Sequence, residues 1–192
     1  MSKDLERHKQ TSLELERRFL VGAAHIGALV AGAEGVLLIE QGYALNKKGH
    51  KYRLRTSIDL LAPGQPTTYS WGRKKRVDAL GREETERLLE PEEFEERWPN
   101  TDGWRITKTR LLVPVGSHTY EVDLLGDDLV IAEVECASAE EADALAVAKW
   151  CGPEITGLKG WGSSGLALRP LQPSELAMAW GAYATQANVL PR

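Results

Sequence analysis

Charged residues spaced two apart recur through this 192-residue chain, and that spacing restricts the fold more than any other feature. Glu14-x-Glu16-x-Arg18, Arg53-x-Arg55, Arg82-x-Glu84-x-Glu86, Lys108-x-Arg110, Glu121-x-Asp123 and Glu133-x-Glu135 all obey it. Successive side chains of a strand point to opposite faces, so each set shares one face of a strand. The opposite rows are mostly apolar or neutral: Tyr52 and Leu54; Tyr120, Val122 and Leu124; Ala132, Val134 and Cys136. A single such strand is an ordinary sheet edge with one wet face. A series of them predicts a sheet whose charged face is shared.

The punctuation of the chain agrees. Strands are expected over Leu13–Val21, Gly35–Tyr43, Lys51–Leu60, Thr67–Lys75, Trp104–Val115, His118–Leu125 and Leu129–Cys136. Turn signals at Lys47-Lys48-Gly49-His50, Ala62-Pro63-Gly64-Gln65-Pro66, Gly116-Ser117 and Asp127-Asp128 separate several of them. Residues 82–88 read equally as a strand or as a solvated helix. Pro91 followed by two glutamates predicts a helix to about Trp98. Ser138 with Glu141 forms a capping box for a helix over Ala139–Lys149. A short helix within Ala23–Ala31 and a last one over about Glu175–Gln186 complete the reading. Residues 1–12 form a polar tail, 170–192 a C-terminal helical extension, and the whole 1–192 a single domain.

Composition excludes several classes. With 24 basic and 28 acidic residues the net charge is -4, which argues against a partner as acidic as a nucleic-acid duplex. No apolar run approaches the roughly 20 residues that span a bilayer, and the polar N-terminus lacks the apolar core of a secretion signal. Cys136 and Cys151 give neither a disulfide framework nor a metal spacing, so a reduced, cytoplasmic protein is expected. Gly160-x-Gly162-x-x-Gly165 spells a dinucleotide fingerprint, but Pro170 follows too soon for the helix that fingerprint needs. A loop near the mouth of a site fits it better.

The signs of the charges are segregated. Lys108 and Arg110 lie one hairpin from Glu121 and Asp123, which lie one hairpin from Glu133 and Glu135. Adjacent acidic strands repel unless a cation intervenes, and gathered carboxylates are what a hard divalent ion takes as ligands. Arginines and lysines facing them suit an anion with several charges.

The ordered series resembles the CYTH domain of the triphosphate tunnel metalloenzymes over about residues 13 to 168. Glu14-Leu15-Glu16-Arg17-Arg18 is similar to that family's opening Glu-x-Glu-x-Lys, with arginine in the lysine position. Gln41-Gly42-Tyr43, Arg53-x-Arg55, a basic strand at Trp71–Lys75, Arg82-x-Glu84-x-Glu86 and the later pairs follow in the family's order, as do Lys159-x-Trp161 and Ser163-Ser164. The resemblance implies an α+β protein, an eight-stranded antiparallel β-barrel (a triphosphate tunnel) with helices packed outside. It implies Mg²⁺ or Mn²⁺ on Glu14, Glu16, Asp123, Glu133 and Glu135. Phosphates would be held by Arg18, Arg53, Arg55, Lys74, Arg82, Lys108, Arg110 and Lys159, with Lys74, Arg18 and Glu16 most directly engaged in the reaction. Lys74 is preferred to its neighbours Arg73 and Lys75 by its spacing to Arg82. Glu121 is a further candidate ligand, and Glu84 and Glu86 are candidates for orienting the basic residues. The expected activity is metal-dependent hydrolysis of inorganic triphosphate. An adenylate cyclase of class IV type, a nucleoside or thiamine triphosphatase, and a non-catalytic polyphosphate- or nucleotide-binding module are the alternatives. The sequence leaves the oligomeric state open, a homodimer included.

Overall fold

The computed structural model describes residues 10–76, 81–126 and 129–187, without the side chains of 10–14, 76, 81, 82, 186 and 187. The expected tail at residues 1–9, the Asp127-Asp128 turn and the last residues of the extension lie outside them. Among the described residues nine strands form one antiparallel sheet, so the protein is α+β. They are β1 (Gln10–Val21), β2 (Gly35–Leu45), β3 (Lys51–Asp59), β4 (Thr68–Arg76), β5 (Gly81–Leu88), β6 (Arg105–Val115), β7 (His118–Leu125), β8 (Leu129–Cys136) and β9 (Cys151–Glu154). The order across the sheet is β5-β4-β3-β2-β6-β7-β8-β1-β9, and the N-terminal half of β1 also pairs with β5.

Two corrections to the sequence reading concern strands. The first strand begins at Gln10, three residues before the expected start at Leu13, because residues 10–15 are paired with 86–81 of β5. The same pairing settles residues 82–88 as a strand. The ninth strand, β9, is short, contains Gly152 and Pro153, and is absent from the strands expected from the sequence. Among the described residues it pairs only with the end of β1, and a sheet edge is where proline is tolerated.

The helices are α1 (Ile26–Gly32), α2 (Pro91–Arg97), α3 (Ala139–Ala144), α4 (Ser163–Leu166) and α5 (Pro173–Ala187). Helix α3 starts as the capping box predicts, with the Glu141 N–H donating to Ser138 Oγ at 3.1 Å. It ends five residues before Lys149. Leu145 leaves helical geometry, and the chain turns inward so that the Ala148 N–H donates to Tyr120 Oη and the Cys151 N–H to the Ala148 carbonyl. The apolar rows pack outward, as expected of a sheet with a charged inner face. Phe19, Leu111, Val113, Val122 and Val134 bury themselves with Leu29 of α1 and Ala148, while Leu54 and Leu89 pack against Phe94 of α2. Helix α5 lies against β9, where Trp180 sits over Gly152. Cys136 and Cys151 are buried free thiols. Among the described residues, no helix is long and apolar enough to cross a membrane.

Candidate active site

Strand register brings the charged rows onto one surface. Glu16 lies opposite Glu135, Arg18 opposite Glu133, Glu121 opposite Glu133, and Arg110 opposite Asp123. On the other side Gln41 lies opposite Arg55, Tyr43 opposite Arg53, Gly72 between Arg53 and Glu86, and Lys74 opposite Glu84. These rows enclose a cavity of about 780 Å³. Among its lining residues are Glu16, Arg18, Arg53, Arg55, Lys74, Lys108, Arg110, Glu133, Glu135 and Lys159. Lys74 reaches it, whereas Arg73 and Lys75 alternate to the other face and do not line it. The backbones of Glu14 and Arg82 are register partners on β1 and β5, and their side chains lie outside the described residues. Asp123 sits beneath the lining, 2% exposed.

The inner charges are not evenly matched. Asp123 receives hydrogen bonds from Lys108 Nζ at 2.5 Å and from Arg110 Nε and Nη2 at 2.7 and 2.8 Å. Arg110 also contacts Glu121 and, at 3.3 Å, Glu133. Burial works against the Arg110 charge, but these three carboxylates raise its pKa well above the ordinary guanidinium value. Burial would also favour a neutral Glu133, yet Arg18, Lys108, Arg110 and Lys74 outweigh it and hold that carboxyl far below the usual range. Arg53 Nη2 pairs with Glu84 at 3.0 Å and Glu86 at 2.9 Å, and Lys74 lies 3.1 Å from Glu84. Glu84 and Glu86 therefore contact basic residues in this arrangement.

Arg55 differs. It makes no hydrogen bond or ion pair with a carboxylate among the described residues, and its Nε is buried without a partner, as are Arg53 Nε and Gln41 Oε1. Burial and repulsion from Arg53 and Arg110 lower its pKa to about 10. Lys108, 3% exposed, is lowered to about 8, mainly by burial and further by Arg110 and Arg55. Lys108 has Asp123 as its counter-charge, so the unmet demand for negative charge on this wall falls on half-buried Arg55.

A complementary demand exists on the acidic side. Burial raises the pKa of Glu135, and the nearby charges of Glu121, Glu84 and Glu16 raise it further. Oxygen donors crowded this way suit a hard divalent ion, which would relieve their repulsion. Among the described residues no three carboxylates converge tightly enough to hold an ion. The donor chemistry fits a hard divalent ion.

Residues 157–165 form a strap over the cavity. Gly157 and Gly160 have positive φ (74° and 86°), and a Cβ on Gly165 would lie 2.5 Å from the Gly160 carbonyl oxygen. The glycine spacing that imitates a dinucleotide fingerprint is thus explained by a tightly folded turn. Lys51, Trp104 and Ser163 also contribute to this region, and the sequence reading passed over the first two. Lys51 was legible as an extension of the Arg53-x-Arg55 row; nothing in the sequence marks Trp104.

Fold and site together define an antiparallel-sheet protein with a charged cavity built for a polyanion. No family model matches the chain. An inorganic triphosphatase from Nitrosomonas europaea is 32% identical over 160 residues, spanning 81% of this chain and 97% of that protein. A crystal structure of an inorganic triphosphatase is similar with a TM-score of 0.52 and 28% identity, over 81% of this chain and 94% of that one. A putative adenylate cyclase from Bacillus halodurans shares the fold, with a TM-score of 0.52 and 16% identity over 70% of this chain and 86% of that one. The chain belongs to the triphosphate tunnel metalloenzyme (CYTH) family.

Proposed function

We propose that this protein is an enzyme that hydrolyses inorganic triphosphate with a divalent metal ion. The observation that carries the reading is Arg55 on the cavity wall, with its Nε buried and no carboxylate partner among the described residues, in the same cavity as the paired carboxylates of Glu16 and Glu135. A linear phosphate chain with a bound divalent ion offers the missing charge of both signs. The inorganic triphosphatase from Nitrosomonas europaea, matched along almost its whole length, supports the same substrate. Pairing of β1 with both β5 and β8 supports a closed eight-stranded tunnel, with β9 as an added edge.

In this reading Arg53, Arg55, Lys74, Lys108, Arg110, Lys159 and Arg82 hold the phosphates. They neutralise the charge that grows on the leaving oxygens as the terminal phosphoanhydride bond breaks and water adds to phosphorus. Glu14, Glu16, Glu133 and Glu135 would hold Mg²⁺ or Mn²⁺, which would shield the phosphate oxygens and make a bound water more acidic. Asp123 is the exception to the expected metal ligands, since it lies beneath the cavity lining with both oxygens accepting from Lys108 and Arg110, whereas Glu133, which accepts from Arg18 and Arg110, lines the cavity itself. We assign it to positioning those two cations.

The test is product analysis with tripolyphosphate or ATP, with Mg²⁺ or Mn²⁺. Orthophosphate released from tripolyphosphate is the expected result. Pyrophosphate with cyclic AMP from ATP would instead make it a cyclase, and binding without turnover would make it a non-catalytic module.

A further inference from the structure

The inner face changes character at the end where β1 and β2 finish and β3 and β6 begin. Beyond Arg18 and Glu133 the next paired residues are Leu20 and Ile131, which bury themselves with Ile155, Trp161 and Leu166. The strap thus rests on an apolar plug, with Arg18 at the boundary between plug and charged cavity. Arg18 is 3% exposed and reaches both sides of that boundary. Its Nε donates to Glu133 Oε1 at 2.8 Å and its Nη2 donates to the Trp161 carbonyl at 2.7 Å. Its backbone is also engaged, accepting from the Ile155 N–H at 2.8 Å and donating to Thr156 Oγ1 at 3.0 Å.

The far end of the strap is tied across the sheet. Trp104, immediately before β6, donates from Nε1 to the Ser164 carbonyl at 2.7 Å. Lys51, the first residue of β3, donates to Ser164 Oγ at 2.8 Å, and Lys108 Nζ lies 3.4 Å from Ser163 Oγ. Trp104 is itself fixed by Tyr43, with ring centroids 5.6 Å apart. In the strand order, β6 is separated from β1 by β7 and β8 on one side, and β3 is separated from it by β4 and β5. The two ties therefore hold the strap from distant parts of the wall. Lys159 lies between its start and the first tie, and lines the cavity.

We propose that Arg18 and Trp104 are positioning residues which latch the strap across this end of the cavity, and so hold Lys159 against the bound phosphates. Only the contact of Lys159 with phosphate rests on the triphosphatase reading. The latch stands on the two hydrogen bonds. Arg18 then acts through the strap and Glu133 rather than as a phosphate ligand. An arginine suits that role, because separate nitrogens of one planar group serve the two acceptors.

Limited trypsin cleavage after Lys159, followed by mass spectrometry without substrate, reads the latch directly. Cleavage of an opened segment follows the population of the open form. Trp104→Phe keeps the ring and removes only the N–H, and cleavage there is expected to rise about fivefold. Arg18→Met is expected to raise it about tenfold or more, because a charged donor is lost. Unchanged cleavage in Trp104→Phe overturns the latch, even if Arg18→Met fails to fold. The kinetic arm uses tripolyphosphate. Trp104→Phe should lower kcat/KM in the native background and have no further effect in a Lys159→Ala background. Equal losses in both backgrounds overturn the role of Lys159. Cleavage that responds in a protein unable to hydrolyse tripolyphosphate supports the latch and overturns the triphosphatase reading.

Discussion

Arg110 and Arg55 face the same cavity from β6 and β3, and their surroundings are opposite. Arg110 is shared among Asp123, Glu121 and Glu133, with its charge reinforced. Arg55 is half-buried near the guanidiniums of Arg53 and Arg110, with its Nε buried, and has no carboxylate partner among the described residues. The first arrangement is complete within the chain, as a structural charge network must be if burial is not to cost stability. The second is completed only by something from outside. The contrast teaches that alternating charges on a strand are of two kinds, those that build the wall and those that wait for the ligand.

Breaking the completed side should have the largest effect on the fold. Asp123→Ala leaves Lys108 and Arg110 buried without their main counter-charge and is expected to cost about 3–5 kcal/mol, read by denaturant unfolding. Next comes the acidic side. Glu135→Gln removes a charge crowded by Glu121, Glu84 and Glu16, so stability should hold or rise while metal-dependent hydrolysis falls roughly 10- to 100-fold. Loss of stability without loss of turnover would place Glu135 with the structural group instead.

Lys108 joins both sides, and pH sharpens its role. Its folded pKa of about 8 lies below the ordinary value of 10.5, so between those values the unfolded chain binds more protons. The stability contributed by this group therefore increases as pH rises from about 8 to 10.5. Phosphate binding needs the charged form, so kcat/KM should bend downward near pH 8, about tenfold per unit beyond it. The smallest effect belongs outside the cavity. Arg17 pairs with half-exposed Glu154 on the outer surface, and Glu154→Gln should cost under about 1 kcal/mol and leave turnover intact.

Much of this was legible in sequence because a strand's period of two is rigid. The parity that puts Glu16 and Arg18 together on β1 also puts Arg53 with Arg55 and Glu133 with Glu135, and antiparallel pairing carries it from strand to strand. The choice of Lys74 over Arg73 and Lys75 follows the same rule. Contacts set by tertiary closure were not legible. Asp123 looks like its neighbours in sequence, and its contacts with Lys108 and Arg110, on which its proposed positioning role rests, are set by packing across the sheet. β9 escaped because proline and glycine are poor strand formers and its strand character comes wholly from the edge of β1. The early end of α3 likewise reflects the pull of the core on Ala148 and Cys151, which outweighs helix propensity.

The central claim, that Arg55 is a cation held ready for the substrate, is tested most directly by Arg55→Ala assayed with tripolyphosphate and Mg²⁺ or Mn²⁺. The account predicts a fall in kcat/KM on the order of 10²–10³ with a melting temperature equal to or above that of the native protein. Native turnover in the variant would contradict it.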